Sequence, residues 1–209
     1  MRLWTISAVA FALFIVLGFL VATPPFSRLD AAATALQGHG MQAAVIFTES
    51  GRFLPLLSIG LIGIATLAAA RLALWMGAGV LVSQIMSQGV VELIKIFFHR
   101  ARPDHWLVYH EPGYSYPSGH ASTAIVFFGS WLLIILMAPL PRLAKIVCAA
   151  VLFVWMLAID WSRLALGAHY LTDVIGGTLF GIFWVSMVLA VLARLGVAAS
   201  DLRAKRKAA

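Results

Sequence analysis

Most of the chain's unusual residues fall in three short segments, and the chemistry they suit is the handling of an anion such as a phosphoryl group. In the run Lys95-Ile96-Phe97-Phe98-His99-Arg100-Ala101-Arg102-Pro103, Lys95 and Arg102 stand about two helical turns apart, so they share a face if a helix persists to Arg102. Pro103 disfavours helical geometry at Arg102 and releases the chain into a loop. Alone, the two cations could equally be snorkelling anchors at the end of a span. In Tyr116-Pro117-Ser118-Gly119-His120, Ser118 is a good helix N-cap and Gly119 lets a phosphate approach the backbone. The N–H groups and positive dipole of that helix start favour an anion. A plain cap and turn would explain all of this except the histidine beside the anion's place. In Ser162-Arg163-Leu164-Ala165-Leu166-Gly167-Ala168-His169-Tyr170-Leu171-Thr172-Asp173, His169 and Asp173 are spaced i, i+4. On a helix the carboxylate can accept from one imidazole nitrogen and leave the other as a free lone pair. That pairing orients and activates a nucleophile or base, although such a pair can also be structural.

These groups form one site only if the surrounding elements bring them together. The 209 residues are 62% apolar and 11% charged, too little polar surface to wrap a soluble globule, so the chain is read as a membrane protein. The net charge of +7 fits cytoplasmic anchoring of loops; no basic-aromatic patch suggests a nucleic-acid partner. The single cysteine, Cys148, lies in an apolar run and allows neither an intramolecular disulfide nor a cysteine-based zinc cluster. Internal repeats are absent and the length suits one membrane-embedded domain, 1–209.

Apolar stretches of roughly 20 residues, enough to cross a hydrocarbon core of about 30 Å, predict an all-α bundle of six transmembrane helices. Their ranges are 3–23, 54–70, 72–97, 121–140, 143–161 and 174–194. The fifth has only Ile146–Ile159 as an uninterrupted apolar run; continuing it through Asp160 and Trp161 places an acid and an aromatic at the far interface. The first run exceeds the apolar part of a usual signal peptide and reads as a retained anchor. Between the first two spans, Phe26, Leu29, Ala33 and Leu36 recur at helical spacing and suit a short helix in the interface, or a plain loop.

Six spans put both termini on one side. Arg2, Arg71, Arg142, Lys145, Arg194, Arg203, Lys205, Arg206 and Lys207 fall there with Asp201 as the only acid, so the positive-inside rule makes the termini cytoplasmic. The basic tail then lies against anionic lipid headgroups. The opposite side holds Arg28, Arg52, Lys95, Arg100, Arg102 and Arg163, the remaining acids and all six histidines. The chemistry is therefore expected at the outer, periplasmic face of an inner membrane.

Lys95-x6-Arg102-Pro103, Pro117-Ser118-Gly119-His120 and Ser162-Arg163-x5-His169-x3-Asp173 together resemble the three-part signature of the type 2 phosphatidic acid phosphatase superfamily. They match it in type, order and spacing. The six-span layout is similar to the family's integral membrane branch, which includes bacterial phosphatidylglycerophosphate and undecaprenyl diphosphate phosphatases. The resemblance implies that His169 is the nucleophile that takes the phosphoryl group, that Asp173 holds it in the reactive tautomer, and that His120 is the general acid. It implies that Lys95, Arg102, Ser118, Gly119 and Arg163 bind the phosphate oxygens, meeting the developing charge with fixed donors. Water then hydrolyses the phosphohistidine. No cofactor and no metal are expected, because the three cations supply the countercharge and the histidines have other assignments. The spacings of His99, Asp104, His105 and His110 fit no familiar metal motif.

A site at the outer interface admits a lipid phosphate whose tails stay in the bilayer, and the resemblance offers phosphatidic acid, phosphatidylglycerol phosphate, undecaprenyl diphosphate and lipid A phosphates. Trp106, Tyr109, Tyr114 and Tyr116 could shape headgroup access or simply belong to the interfacial aromatic belt. Two alternatives share many of these residues. A lipid phosphotransferase would use the same site with a different acceptor, and a non-enzymatic lipid transporter would use the cations but leave His169 and Asp173 without a task.

Overall fold

Among the residues described by the computed structural model, 2–22, 27–104 and 111–197, every regular element is helical. Thr23, Phe26, His105, Trp106, Tyr109, His110 and the basic tail at 203–207 lie outside the described residues. Helix α1 (Arg2–Ala22) is followed by the short α2 (Arg28–Ala33), which a 3₁₀ turn continues to Leu36. Then come α3 (Met41–Ser50), α4 (Phe53–Ala69) and α5 (Leu74–Phe98). The next helix runs over Gly119–Met137 as α6 (Gly119–Thr123), a π-helical stretch (Ala124–Gly129) and α7 (Ser130–Met137). Helices α8 (Arg142–Ala165) and α9 (Leu171–Arg194) complete the bundle.

Five of these helices are long and apolar enough to cross a membrane, and α3 with α4, bent by 61° at their junction, can serve as a sixth span. Large side chains such as Phe19, Leu20, Ile62, Leu143 and Val154 point outward, as lipid-facing positions require. Because lipid tails are as apolar as these side chains, hydrophobic burial does not drive one span against another; close packing and interhelical hydrogen bonds do. Helix α9 supplies the close packing. A Cβ at Gly177 would stand 2.4 Å from the Ser118 carbonyl oxygen, and one at Gly176 would stand 2.3 Å from the Tyr116 ring. The absence of side chains there lets the segment 116–119 lie directly on α9, where Ser118 N–H donates to the Asp173 carbonyl at 3.0 Å. Tyr116 is fully buried, stacked on Phe14 of α1, and its hydroxyl donates to the Phe14 carbonyl at 2.6 Å.

The structure departs from the sequence expectations in six places. Helix α5 ends at Phe98, where His99 takes a left-handed conformation (φ 51°), so Arg102 leaves on a loop and does not share a helix face with Lys95. His169 is not helical either: Tyr170 is the N-cap of α9 and Asp173 sits in its first turn. The link between the first two spans contains a second helix, α3, whose Phe47 and Ser50 contact Trp155 of α8. The expected interfacial helix exists as α2, but Asp30 inside it is buried and anchored to the bundle. In α8, Asp160 lies more than a turn before the helix end and accepts from Thr178 of α9 at 3.5 Å. It is thus an interhelical contact and not a terminal anchor. Tyr116, turned into the α1 contact, does not shape headgroup access.

The tight seat of segment 116–119 can be tested by comparing two glycines. Gly177→Ala should lower stability by about 1–3 kcal/mol, because the neighbouring atom is backbone and cannot rotate away. Gly79→Ala, with nothing within 4 Å of its Cβ, should be neutral or stabilising. Thermal unfolding of both variants in detergent checks this; equal melting temperatures would refute the close contact.

Candidate active site

His169 sits in the link between α8 and α9, where Gly167 (φ 67°) turns the chain and the Arg163 carbonyl accepts from Ala168 N–H at 3.0 Å. The side chain is thereby directed inward and His169 is only 3% exposed. Its two ring nitrogens face different partners. Nδ1 lies 3.4 Å from Asp173 Oδ2, while Nε2 lies 3.1 Å from Arg102 Nη1. A guanidinium can only donate, so Nε2 presents a lone pair and Nδ1 carries the proton, directed at the carboxylate. Burial pushes the imidazole well below its ordinary pKa, and the charges of Arg102 and Arg163 push it further the same way. The neutral ring is therefore the favoured form.

Asp173 is fully buried and held on several sides: Tyr170 N–H donates to Oδ2 at 2.9 Å, Ser115 Oγ donates to the same oxygen, and Arg100 Nη1 donates to Oδ1. Arg100 is itself buried between two carboxylates, since its Nη2 donates to Asp30 Oδ2 at 2.9 Å. Its guanidinium lies over the Tyr170 ring, 4.4 Å from the centroid, a cation–π contact. Asp30 also accepts from the backbone N–H and hydroxyl of Thr172. Burial raises its pKa, but the hydrogen bonds from Thr172 and Ser27 outweigh that and hold the carboxyl below its usual range.

His120, in the first turn of α6, has the opposite arrangement to His169. Its Nε2 lies 3.1 Å from the Thr48 carbonyl oxygen, which can only accept, so this nitrogen carries a proton. Thr48, buried on α3, also accepts through its hydroxyl from Arg163 Nη1, tying the fifth predicted span to the second motif. Arg163 Nη2 donates to Glu111 at 2.6 Å. Arg102 is positioned on its loop by the carbonyls of Gly113 and Ala168, at 3.1 and 3.2 Å. Lys95 Nζ pairs with Glu92 at 2.7 Å and lies 3.8 Å from where a Gly119 Cβ would be. Ser118 Oγ accepts from Ala121 N–H at 3.4 Å, which caps the helix.

His169, His120, Lys95, Arg102 and Gly119 open onto one cavity of about 600 Å³. Its far wall is apolar, built from Phe53, Leu56 and Leu57 of α4 and Leu81 and Ile85 of α5. Gln84 and Gln88 of α5 both donate to the Thr123 hydroxyl, at 2.7 and 2.6 Å, next to the π-helical stretch. The geometry thus joins a cationic, two-histidine pole to an apolar groove, the pairing of surfaces that an amphiphilic phosphate presents. Arg163 and Ser118 do not line the groove; Arg163 is 1% exposed and meets the site through Thr48 and Glu111.

Residues 76–196, which include all three motifs, match the PAP2 superfamily. The chain belongs to this superfamily. Among PAP2 relatives, the lipid A 1-phosphatase of Rhizobium johnstonii is 34% identical over 133 residues, covering 59% of this chain and 50% of the relative. The lipid A 1-phosphatase of Rhizobium etli is 35% identical over 134 residues, with coverages of 59% and 53%. The phosphatidylglycerophosphatase B of Bacillus subtilis is 31% identical over 99 residues, with coverages of 46% and 48%. The chain spans about half the length of the curated relatives it matches. The crystal structure of a transmembrane PAP2 type phosphatidylglycerolphosphate phosphatase from Bacillus subtilis has the same fold. It superposes with a TM-score of 0.78 at 24% identity, over 90% of this chain and 96% of that one.

Several residues of this PAP2 site escaped the sequence reading. Asp30 carried a faint signal, the Ser27-x-x-Asp30 capping box, but nothing local foretold its reach to Arg100. Arg100 was visible as a charge inside the first motif, Ser115 and Thr48 gave no sign, and Glu111 and Arg52 resembled ordinary loop charges. His99, by contrast, is exposed, meets the Tyr114 ring edge-on and takes no part. Removing the cation between Asp30 and Asp173 leaves two buried carboxylates without it, which costs about 3–5 kcal/mol for a pair broken from one side. Arg100→Met should therefore unfold at markedly lower temperature in detergent, while His99→Met should match the parent; an unaffected Arg100→Met would remove this network from its structural role.

Proposed function

We propose that this chain is a membrane lipid phosphatase that hydrolyses a phosphate mono- or diphosphate ester without metal, through a phosphohistidine at His169. The observation that carries the reading is the opposed protonation of the two imidazoles: Nε2 of His169 accepts from Arg102, and Nε2 of His120 donates to Thr48. One ring presents a lone pair that can attack; the other, its Nε2–H held by the Thr48 carbonyl, acts as the acid in its doubly protonated form, with the second proton on Nδ1. In the first step the Nε2 lone pair attacks phosphorus, the bond to the leaving oxygen breaks, and His120 protonates that oxygen. Asp173 stabilises the positive charge that the attacking ring acquires. In the second step water attacks the phosphorus, its proton passes to His120, and the P–N bond breaks to release phosphate. Lys95, Arg102 and the helix start at Gly119, capped by Ser118, meet the charge on the phosphoryl oxygens, and Arg163 joins them once its pairing with Glu111 opens.

The apolar groove between α4 and α5 supports a lipid as substrate, with the headgroup at the cationic pole and the tails toward the bilayer. The names of the relatives, lipid A 1-phosphatase and phosphatidylglycerophosphatase B, support the same class. The whole chain acts as one membrane-embedded unit in the inner membrane, with cytoplasmic termini and the site on the outer face. The charge distribution supports this orientation, and a Ser200→Cys variant labelled only from outside would reverse it.

The test is phosphate release by the purified protein in detergent with EDTA present, across phosphatidic acid, phosphatidylglycerol phosphate, undecaprenyl diphosphate and a lipid A phosphate. Release is expected from at least one, and His169→Ala should lower it roughly a thousand-fold or more. Attack requires neutral His169, and its depressed pKa keeps the ring neutral further into acid. The acid limb of kcat/KM, which reports the free enzyme, should therefore fall below about pH 6.5. Arg102→Gln should move that limb upward by removing a repelling cation. Release that survives His169→Ala would exclude the mechanism, and no release from any lipid would favour transfer to another acceptor or transport.

A further inference from the structure

The arginines at the cationic pole hold a carboxylate of the chain itself. Glu111, on the loop leading to the helix start at Ser118, places Oε2 2.6 Å from Arg163 Nη2 and 3.6 Å from Arg102 Nη1. Its Oε1 lies 3.8 Å from Arg52 Nη2. Arg102 Nη1 is the same nitrogen that stands 3.1 Å from Nε2 of His169. A phosphorus poised for attack lies about 3–3.5 Å from that Nε2, so its oxygens fall beside Arg102, while Glu111, which lines the cavity, stands between them and the buried Arg163. A carboxylate and a phosphate both seek the forked donors of arginine, and their like charges repel. The donor on Arg163 that Glu111 takes, and the space beside Arg102 that it fills, are open to a phosphate only when Glu111 has left.

We propose that Glu111 is a tethered competitor for the substrate phosphate: it sits on Arg102 and Arg163 between turnovers, leaves as a phosphate arrives, and returns to help expel inorganic phosphate. The inference rests on the reading of this pole as a phosphate site. Several cations converging in a mostly buried pocket would otherwise hold the product tightly, since the full cradle that steadies the phosphoryl group also binds free phosphate. A carboxylate on the same chain competes at an effective concentration of order mM, without having to diffuse in. The side chain of Glu111 is 18% exposed at the cavity mouth, so it has water to turn into. The rim pair Lys95–Glu92 is a weaker counterpart, because Glu92 is 63% exposed and its attraction is screened.

If Glu111 is seated nine-tenths of the time, the apparent affinity for phosphate is reduced roughly tenfold. The experiment is calorimetric titration of inorganic phosphate into the purified full chain in detergent, for the parent, Glu111→Gln and Glu111→Asp. Glu111→Gln should bind phosphate roughly tenfold more tightly. Glu111→Asp, whose shorter side chain grips the arginines less well, should show a smaller gain and serves if the first variant does not fold. Equal or weaker binding by a folded variant would overturn the proposal and make Glu111 a prop for the arginines. A parent and variants that keep their melting temperature but all fail to bind phosphate would bring down the phosphate-site reading itself, and this inference with it.

Discussion

Asp173 carries its carboxylate with no exposed surface, and a buried charge of this kind persists only if it is paired and hydrogen-bonded. Arg100, Ser115 and the Tyr170 amide meet that need, and Asp30 balances Arg100 from the other side. The chain of contacts crosses one end of the bundle: α2, the loop after α5, the segment before α6 and the start of α9 all contribute. The turn at Gly167 holds the His169 ring beside this fixed carboxylate, and Arg102 closes the other side. The tautomer follows from donors and acceptors alone, since a carboxylate faces one nitrogen and a guanidinium the other.

The rest of the fold can be seen as the means of assembling that network in lipid. Without hydrophobic gain between spans, the bundle relies on close backbone approach, and Gly176 and Gly177 allow it where the second motif meets the third. The aromatic cluster of Phe14, Phe98, Tyr116 and Phe180 seals the same junction from the α1 side. The bend between α3 and α4 brings Thr48 to His120 and Arg163, and α4 lines the groove below. The groove and the cationic pole are thus products of the same helix arrangement.

Much of this was legible from residue types and spacing. The apolar runs marked the spans because hydrocarbon tolerates nothing else over that length, and the motif residues His120, Lys95, Arg102 and His169 do line one cavity. Contacts between distant segments were not legible. Asp30 and Arg100 are 70 residues apart in sequence, and nothing in either neighbourhood encodes their meeting. Helix α3 was hidden because its composition is mixed and its apolar side faces α8. The heptad spacing of Lys95 and Arg102 leaves open whether they share a helix face; α5 ends at Phe98, His99 turns left-handed, and the loop carries Arg102 back to the site. Glu111 gave the least warning, since a lone glutamate in a loop looks solvated, and the three arginines around it come from distant segments.

The central claim is that Nε2 of His169, bare and flanked by Arg102, is the atom that accepts the phosphoryl group. It is tested most directly by stopping turnover with alkali, digesting the protein and determining which histidine carries phosphorus and on which nitrogen, by mass spectrometry and ³¹P NMR. The account predicts an Nε2-phosphohistidine at position 169. Phosphorus at Nδ1 of His169, or on His120, would contradict it.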